Sequence, residues 1–242
     1  MSNPPETKPA GPRIVEVRKQ ILKKNDELAR AFRARAAETG CYVVSLVSSP
    51  GTGKTEFLKQ TLAGLVDRFR VAALVGDLAT DNDADRLAVS GAPARQITTG
   101  TVCHLETDMV ESALAEAQWS LDELDFLFVE NVGNLVCPSS FDLGEDLRVV
   151  LVSTTEGEDK PRKYPTIFNT SDVAVITKMD LAGVLEFDRA AMRASVEAVR
   201  PGMAVHEVSA KSGAGMEGWI DALVSARAVA RDGAPAAVAA GG

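Results

Sequence analysis

Three observations predict a three-layer α/β fold with a mainly parallel sheet. Short, apolar, β-branched runs recur along the 242 residues and alternate with stretches of helical period. Several of these runs end in polar residues, among them Gly76-Asp77, Glu130-Asn131 and Thr177-Lys178, and polar residues at the carboxyl ends of parallel strands face a ligand crevice. The junction from Tyr42 to Leu58 sets the pattern. Tyr42 to Val47 is a strand, Pro50, Gly51 and Gly53 make a turn, and Thr55 opens a helical pattern through Leu58, Leu62 and Leu65.

That junction has the chemistry of a phosphate loop. The glycines let backbone N–H groups turn inward towards an anion, and the new helix adds its free N–H groups and positive dipole end. Gly51, Thr52, Gly53, Lys54, Thr55 and Glu56 are the candidate phosphate-side residues. Lys54 would neutralise β- and γ-phosphate charge, and the Thr55 hydroxyl suits Mg²⁺. Ser48 stands where the usual pattern has its first glycine. Gly-Lys-Thr alone is a common tripeptide; the strand before it and the helix after it make it a P-loop NTPase signature.

A chain of this length with 45% hydrophobic and 25% charged residues suits one α/β domain with extensions. The net charge of -8 argues against nonspecific binding of nucleic acid or anionic membrane. The start has no apolar core of a signal peptide and no run is long enough to span a bilayer, so a cytoplasmic location is expected. Three widely spaced cysteines make no disulfide framework.

Residues 1–12, with four prolines, read as a mobile tail. A helix over 13–40 follows, with Ile14, Val17, Ile21, Leu28 and Phe32 on one face and Gly40 as its stop. Such a helix is expected to pack on the domain, which spans 41–231. A second strand, Val71 to Val75, runs into Gly76-Asp77, and Asp77 is a candidate Mg²⁺ ligand, direct or through water. Asp81, Asn82 and Asp83 are read as helix-capping residues. A small-residue loop from Gln96 leads to a helix at about Leu105 to Ala117, with Cys103 and His104 near its start, where a thiol's pKa is lowered. Two adjacent residues can chelate one ion only if the loop bends or two chains pool them.

A third strand, Phe126 to Val129, ends in Glu130-Asn131-Val132-Gly133, the place and spacing of a nucleotide-sensing Asp-x-x-Gly switch. Cys137 lies four residues further on, so a ligand there would move with the switch. A fourth strand, Arg148 to Ser153, gives way to a charged loop from Glu156 to Pro165, read either as solvated surface or as a place where Lys160 or Lys163 meets nucleotide or a facing subunit. The fifth strand ends in Thr177-Lys178-Met179-Asp180, and the sixth, Ala204 to Val208, in Ser209-Ala210-Lys211. A carboxylate accepts hydrogen bonds from guanine N1–H and the exocyclic amine, which adenine does not offer, so Asp180 selects guanine. Lys178 can pack on the base plane, and the 209–211 turn can offer an N–H to guanine O6. A last helix, about Met216 to Ala230, precedes a disordered tail at 232–242.

Four runs carry a resemblance: Ser48 to Thr55, Cys103-His104-Leu105, Glu130 to Pro138, and Thr154 to Pro161. Through them residues 14–225 resemble the HypB family of nickel-incorporation GTPases in NiFe hydrogenase maturation. The resemblance implies a GTP-dependent homodimer with a Ni²⁺ or Zn²⁺ site made from Cys103, His104 and Cys137 at the subunit interface. It also implies a small HypA-like nickel accessory protein and the hydrogenase large subunit as partners. The Cys-Pro-His typical of the related urease accessory GTPase is absent. So are the N-terminal cysteine motif and histidine-rich stretch of some members, which argues against nickel storage. Thr177 replaces the more usual Asn of the guanine motif, and a weaker brace there is expected. Cys41 is assigned to packing, and His206, on a strand, to a structural or an exposed place.

The expected function is GTP hydrolysis to GDP and phosphate with Mg²⁺, through Lys54, Thr55, Asp77, Glu130 and Gly133, coupled to a nickel or zinc site. The alternatives are a P-loop kinase acting on a small molecule, which would not need Asp180, and a metal-binding protein indifferent to nucleotide.

Overall fold

The computed structural model describes residues 11–77 and 82–232. Thr80, Asp81 and the expected tails lie outside the described residues, except that Gly11 and Pro12 already belong to the first helix and Asp232 closes the last. Seven parallel strands form one sheet in the order β3-β2-β4-β1-β5-β6-β7. They are β1 (Tyr42–Ser48), β2 (Val71–Asp77), β3 (Ala94–Thr98), β4 (Phe126–Glu130), β5 (Leu147–Ser153), β6 (Val173–Thr177) and β7 (Ala204–Glu207). The helices are α1 (Gly11–Thr39), α2 (Lys54–Leu65), α3 (Asn82–Ala88), α4 (Thr107–Ala117), α5 (Lys160–Lys163), α6 (Pro165–Asn169), α7 (Arg189–Val199) and α8 (Met216–Asp232).

Strand alternation builds two cores from one sheet. Tyr42, Val44 and Leu46 of β1 share a face with Phe126 and Phe128 of β4, and meet Phe57, Leu58, Leu62, Trp219 and Leu223 from α2 and α8. Val43 faces the other way with Leu127 and Val129, against Phe32 and Ala36 of α1 and Val110 and Leu114 of α4. Beyond β1, Val150, Val152 and Ile176 continue that face against Phe168, Met192 and Val196. The all-parallel, three-layer sheet matches the expectation. β1 sits at its centre, so loops leaving β1, β2, β4, β5 and β6 converge at one edge.

The structure corrects four expectations. β3 is a seventh strand where the sequence suggested only loop; Ala94, Arg95 and Gln96 are only half-buried at the sheet edge, so the segment lacks the continuous apolar run of an inner strand. The helix after it begins at Thr107 instead of Leu105. The charged loop after β5 contains two short helices, α5 and α6.

The apolar stripe of α1 is also only partly used. Asn25, Ala29, Phe32 and Ala36 are buried, whereas Val17 is 55% and Ile21 44% exposed. A helix of 29 residues is ~44 Å long, about twice a seven-residue strand, and among its described side chains the first buried one is Asn25; Ile14 lies outside the described side chains. Asn25 marks the join: its Nδ2 donates to the Asp142 carbonyl at 2.7 Å and its Oδ1 accepts from the Thr107 N–H at 3.0 Å. Gly40, at φ +80°, ends the helix as expected.

Candidate functional site

The loop between β1 and α2 folds as the glycines dictate. Gly51 at φ +75° and Gly53 at φ +91° occupy backbone conformations that L side chains rarely adopt, and the α2 N-terminus opens at Lys54. Lys54 Nζ lies 3.1 Å from Glu130 Oε1 with both side chains buried. The Thr55 hydroxyl donates to the same oxygen at 2.8 Å. Glu130 ends β4 beside β1 and β2, paired with Leu46 and Val75, and Asp77 ends β2 two residues beyond that pairing. Gly133 follows so closely on the loop that an added Cβ would lie 3.1 Å from Pro50 Cα. Lys54, Thr55, Glu130 and Gly133 thus gather around one loop, and Asp77 ends β2 on the same edge of the sheet, with β4 between it and β1.

The chemistry of this corner suits a cation and an anion together. Glu130 Oε2 is buried without a hydrogen-bond partner, and such an oxygen beside a threonine hydroxyl and a lysine is what a hard, oxygen-seeking Mg²⁺ would satisfy.

A second cluster faces the other side of the phosphate loop. Thr52, Gly53, Glu56, Thr177, Lys178, Asp180, Leu181, Ala210 and Lys211 line a cavity of about 270 Å³. Lys178 Nζ donates to the Gly51 carbonyl at 2.7 Å and its Cε lies beside Gly53. Ser209 Oγ donates to Asp180 Oδ1 at 2.6 Å, which fixes one carboxylate oxygen and leaves the other for a ligand. Thr177 does not leave its loop unbraced: its hydroxyl donates to the Thr52 carbonyl at 2.7 Å in a buried bond. The shorter side chain reaches because β6 lies close behind the loop.

Sequence reasoning missed Glu156. Its Oε2 accepts from the Thr52 hydroxyl at 2.9 Å and the Ser153 N–H at 2.8 Å, and Lys160 Nζ lies 3.2 Å from Oε1. Burial pushes this carboxyl up, but hydrogen bonds from Ser153, Ser49, Thr52 and Lys160 outweigh it and hold Glu156 below the usual carboxylate range. The charged loop therefore closes on the phosphate loop instead of lying in solvent. Lys163 keeps the solvated role, 62% exposed and 2.7 Å from Asp159. Replacing Glu156 with Ala leaves the Ser153 N–H unmatched and Lys160 without its carboxylate, while the Thr52 hydroxyl can still donate to the Ser49 carbonyl, and is expected to cost about 1–3 kcal/mol of stability. A matching loss of nucleotide affinity, read by calorimetry, separates a phosphate-loop brace from a purely structural ion pair.

The third cluster is the Cys/His triad. Cys103, His104 and Cys137 bring one ligand atom each to within 4.8 Å of one another, all in one chain. The two sulfurs are 2.8 Å apart. The loop bends ahead of α4, so adjacent residues 103 and 104 do converge. Because α4 starts only at Thr107, the expected helix-end lowering of the Cys103 pKa is not found. The hydrogen bond with Cys137, then burial, raises it. His104 stacks on Phe141 at 3.9 Å between ring centroids. Burial lowers its pKa while Glu106, 3.5 Å from Nε2, opposes that shift, so the imidazole is kept neutral and available as a donor. Phe141 and Glu106 were not singled out by the sequence; Phe141 meets His104 only through the fold's juxtaposition of loops, whereas Glu106 lies two residues along the same loop. Cys41 is fully buried, its thiol pushed up to about 12 by burial. His206 packs edge-on against Trp219 at 5.5 Å. Cys41 packs as assigned, and of the two readings of His206 the structural one holds.

Among the described residues no helix is long and apolar enough to cross a membrane. The CobW/HypB/UreG nucleotide-binding domain model matches residues 42–207, from the start of β1 to the end of β7. The hydrogenase maturation factor HypB of Azotobacter vinelandii is 47% identical over 210 residues, 86% of this chain and 68% of that protein. The hydrogenase/urease maturation factor HypB of Helicobacter pylori is 41% identical over 212 residues, 87% of each chain. The crystal structure of HypB from Helicobacter pylori in complex with nickel shares the fold with a TM-score of 0.80 at 40% identity, over 86% of this chain and 97% of that one. A match that runs the whole sheet, on a P-loop framework that carries every quoted motif, makes this chain a member of the HypB family of hydrogenase maturation factors.

Proposed function

We propose that this chain is a Mg²⁺-dependent GTPase that carries nickel for hydrogenase maturation, binding the metal through Cys103, His104 and Cys137 and releasing or retaining it according to nucleotide state. The observation that carries this reading is the meeting of the three ligand atoms where the loop before α4 touches the loop that leaves the phosphate site. Cys137 lies four residues beyond Gly133, which abuts Pro50. Thiolate and imidazole suit Ni²⁺ and Zn²⁺ alike; the nickel-bound relative favours nickel as cargo.

Guanine specificity rests on Asp180, held by Ser209, with Lys178 along the base plane and Ala210 and Lys211 closing the turn. Thr55, Asp77 and Glu130 would hold Mg²⁺, which supplies charge neutralisation at the phosphates. Lys54, the N–H groups from Gly51 to Thr55 and the α2 dipole orient the phosphates, and Gly133 senses the γ-phosphate. Three ligands per chain leave room for a fourth in a tetrahedral site, consistent with a homodimer that pools its metal loops. A HypA-like accessory protein and the hydrogenase large subunit are the proposed partners.

The test is a titration of Ni²⁺ and Zn²⁺ into the protein with GDP or a nonhydrolysable GTP analogue, beside Cys103→Ala and Cys137→Ala. Metal affinity that differs between nucleotides and falls by ~10-fold or more in either variant is the expected result. Binding indifferent to both nucleotide and mutation removes the metal role and leaves the GTPase.

A further inference from the structure

Only one of the three ligands of the metal triad, Cys137, lies on the loop that follows Gly133. Cys103 and His104 belong to a different connection, between β3 and α4. Nucleotide state can act on the whole site only if something ties that second loop to the first. Asn131 makes this tie. Its side chain is 1% exposed, and its Oδ1 accepts both the Leu105 N–H at 3.0 Å and the Val132 N–H at 2.9 Å. Two converging donors fix the amide's orientation, because its NH₂ end cannot accept. The Asn131 N–H in turn donates to the Leu46 carbonyl of β1 at 2.9 Å. Leu105 is fully buried against Gly76, where an added Cβ would meet its side chain at 2.8 Å. The residue next to His104 is therefore held at its N–H by the loop after β4 and at its side chain by the end of β2. Asn134 Nδ2 adds a longer bond, 3.3 Å, to the Cys103 carbonyl.

We propose that Asn131 is a positioning residue for the metal site: it locks the Cys103–His104 loop to the nucleotide-responsive loop, so that all three ligands move as one body. This rests on the proposed nucleotide-coupled metal function. A hydrogen bond between buried groups holds a loop firmly, and coupling between sites requires an element that both bias.

The experiment compares Ni²⁺ affinity with GDP and with a nonhydrolysable GTP analogue in the wild type, Asn131→Ala and Asn131→Asp. Sulfur-to-nickel charge-transfer absorption reports ligation, and nucleotide affinity is measured alongside. Wild type alone tests the parent reading: a ratio of affinities near 1 there overturns both. With a wild-type ratio different from 1, Asn131→Ala is expected to keep the charge-transfer band while its ratio collapses to about 1, and Asn131→Asp, which keeps the acceptor oxygen, to stay within about twofold of wild type. A wild-type ratio in Asn131→Ala overturns this proposal and leaves the parent intact. Hydrogen exchange on the unmutated protein decides the matter should the Ala variant not fold. Peptides covering residues 103–106 and 131–137 are expected to change protection together on exchange of nucleotide; a response confined to 131–137 overturns the tie.

Discussion

Asp180→Asn is expected to lower GTP affinity by ~10²-fold or more and to raise XTP affinity, with little change in stability. The geometry fixes why. Ser209 donates to Asp180 Oδ1 at 2.6 Å, so an asparagine keeps its carbonyl oxygen on Ser209 and turns its NH₂ towards the base edge. Guanine presents a donor there, its exocyclic amine, and two donors face each other. Xanthine presents a carbonyl oxygen at the same atom and is matched. Hydrogen bonds to charged acceptors contribute ~1.5–3 kcal/mol each, and a site built to pair with a polar group rejects an analogue that cannot pair. Competition of GTP, XTP and ATP against a fluorescent nucleotide reads the switch. Unchanged preference for GTP would mean that Asp180 does not touch the base. Because Ser209, Thr177 and Lys178 keep their bonds within the protein, the folded variant should melt within about 0.5 kcal/mol of wild type.

The sheet and the phosphate loop were legible because each inner strand is buried on both faces and reads as a continuous apolar run. β3 was not, because an edge strand needs no such run and Ala94 to Gln96 carry mixed polarity. The apolar stripe of α1 misled for the opposite reason: Val17 and Ile21 have the right period, but the helix outruns the domain that would cover them. Within the site, residues announced by motif spacing fell where expected, whereas residues that act through long-range contacts did not announce themselves. Glu156 reaches Thr52 across 104 positions of sequence, and Asn131 reaches Leu105 across 26. No local pattern encodes such a meeting. The sequence showed only that Asn131 lies within the run Glu130 to Pro138 and Glu156 within Thr154 to Pro161, two of the four runs that carry the family resemblance.

Glu130 gathers the charges of this corner. Lys54 is nearly buried with Glu130 at 3.1 Å, and Thr55 donates its hydroxyl to the same oxygen. In the proposed GTPase, phosphates and Mg²⁺ would compete with Glu130 for Lys54 and Thr55, which would give the switch residue two alternative sets of partners, as nucleotide sensing needs.

Glu130→Ala separates the two roles by sign. Without nucleotide the variant leaves Lys54 buried and unpaired, and breaking a buried pair in this way costs about 3–5 kcal/mol, so its melting temperature is expected to fall well below that of wild type. GDP in the presence of a chelator no longer has to displace a carboxylate from Lys54, so its affinity should rise, and the stabilisation it gives on binding should exceed that seen with wild type. Hydrolysis of GTP with Mg²⁺ should fall by ~10²-fold or more, because the carboxylate that would help place the cation at the phosphates is gone. Thermal melting, GDP titration in chelator and phosphate release together read the three effects. A variant as stable as wild type would show that the Lys54 pair contributes little to the free protein, and one with weaker GDP binding would show that Glu130 assists the phosphates instead of competing with them for Lys54.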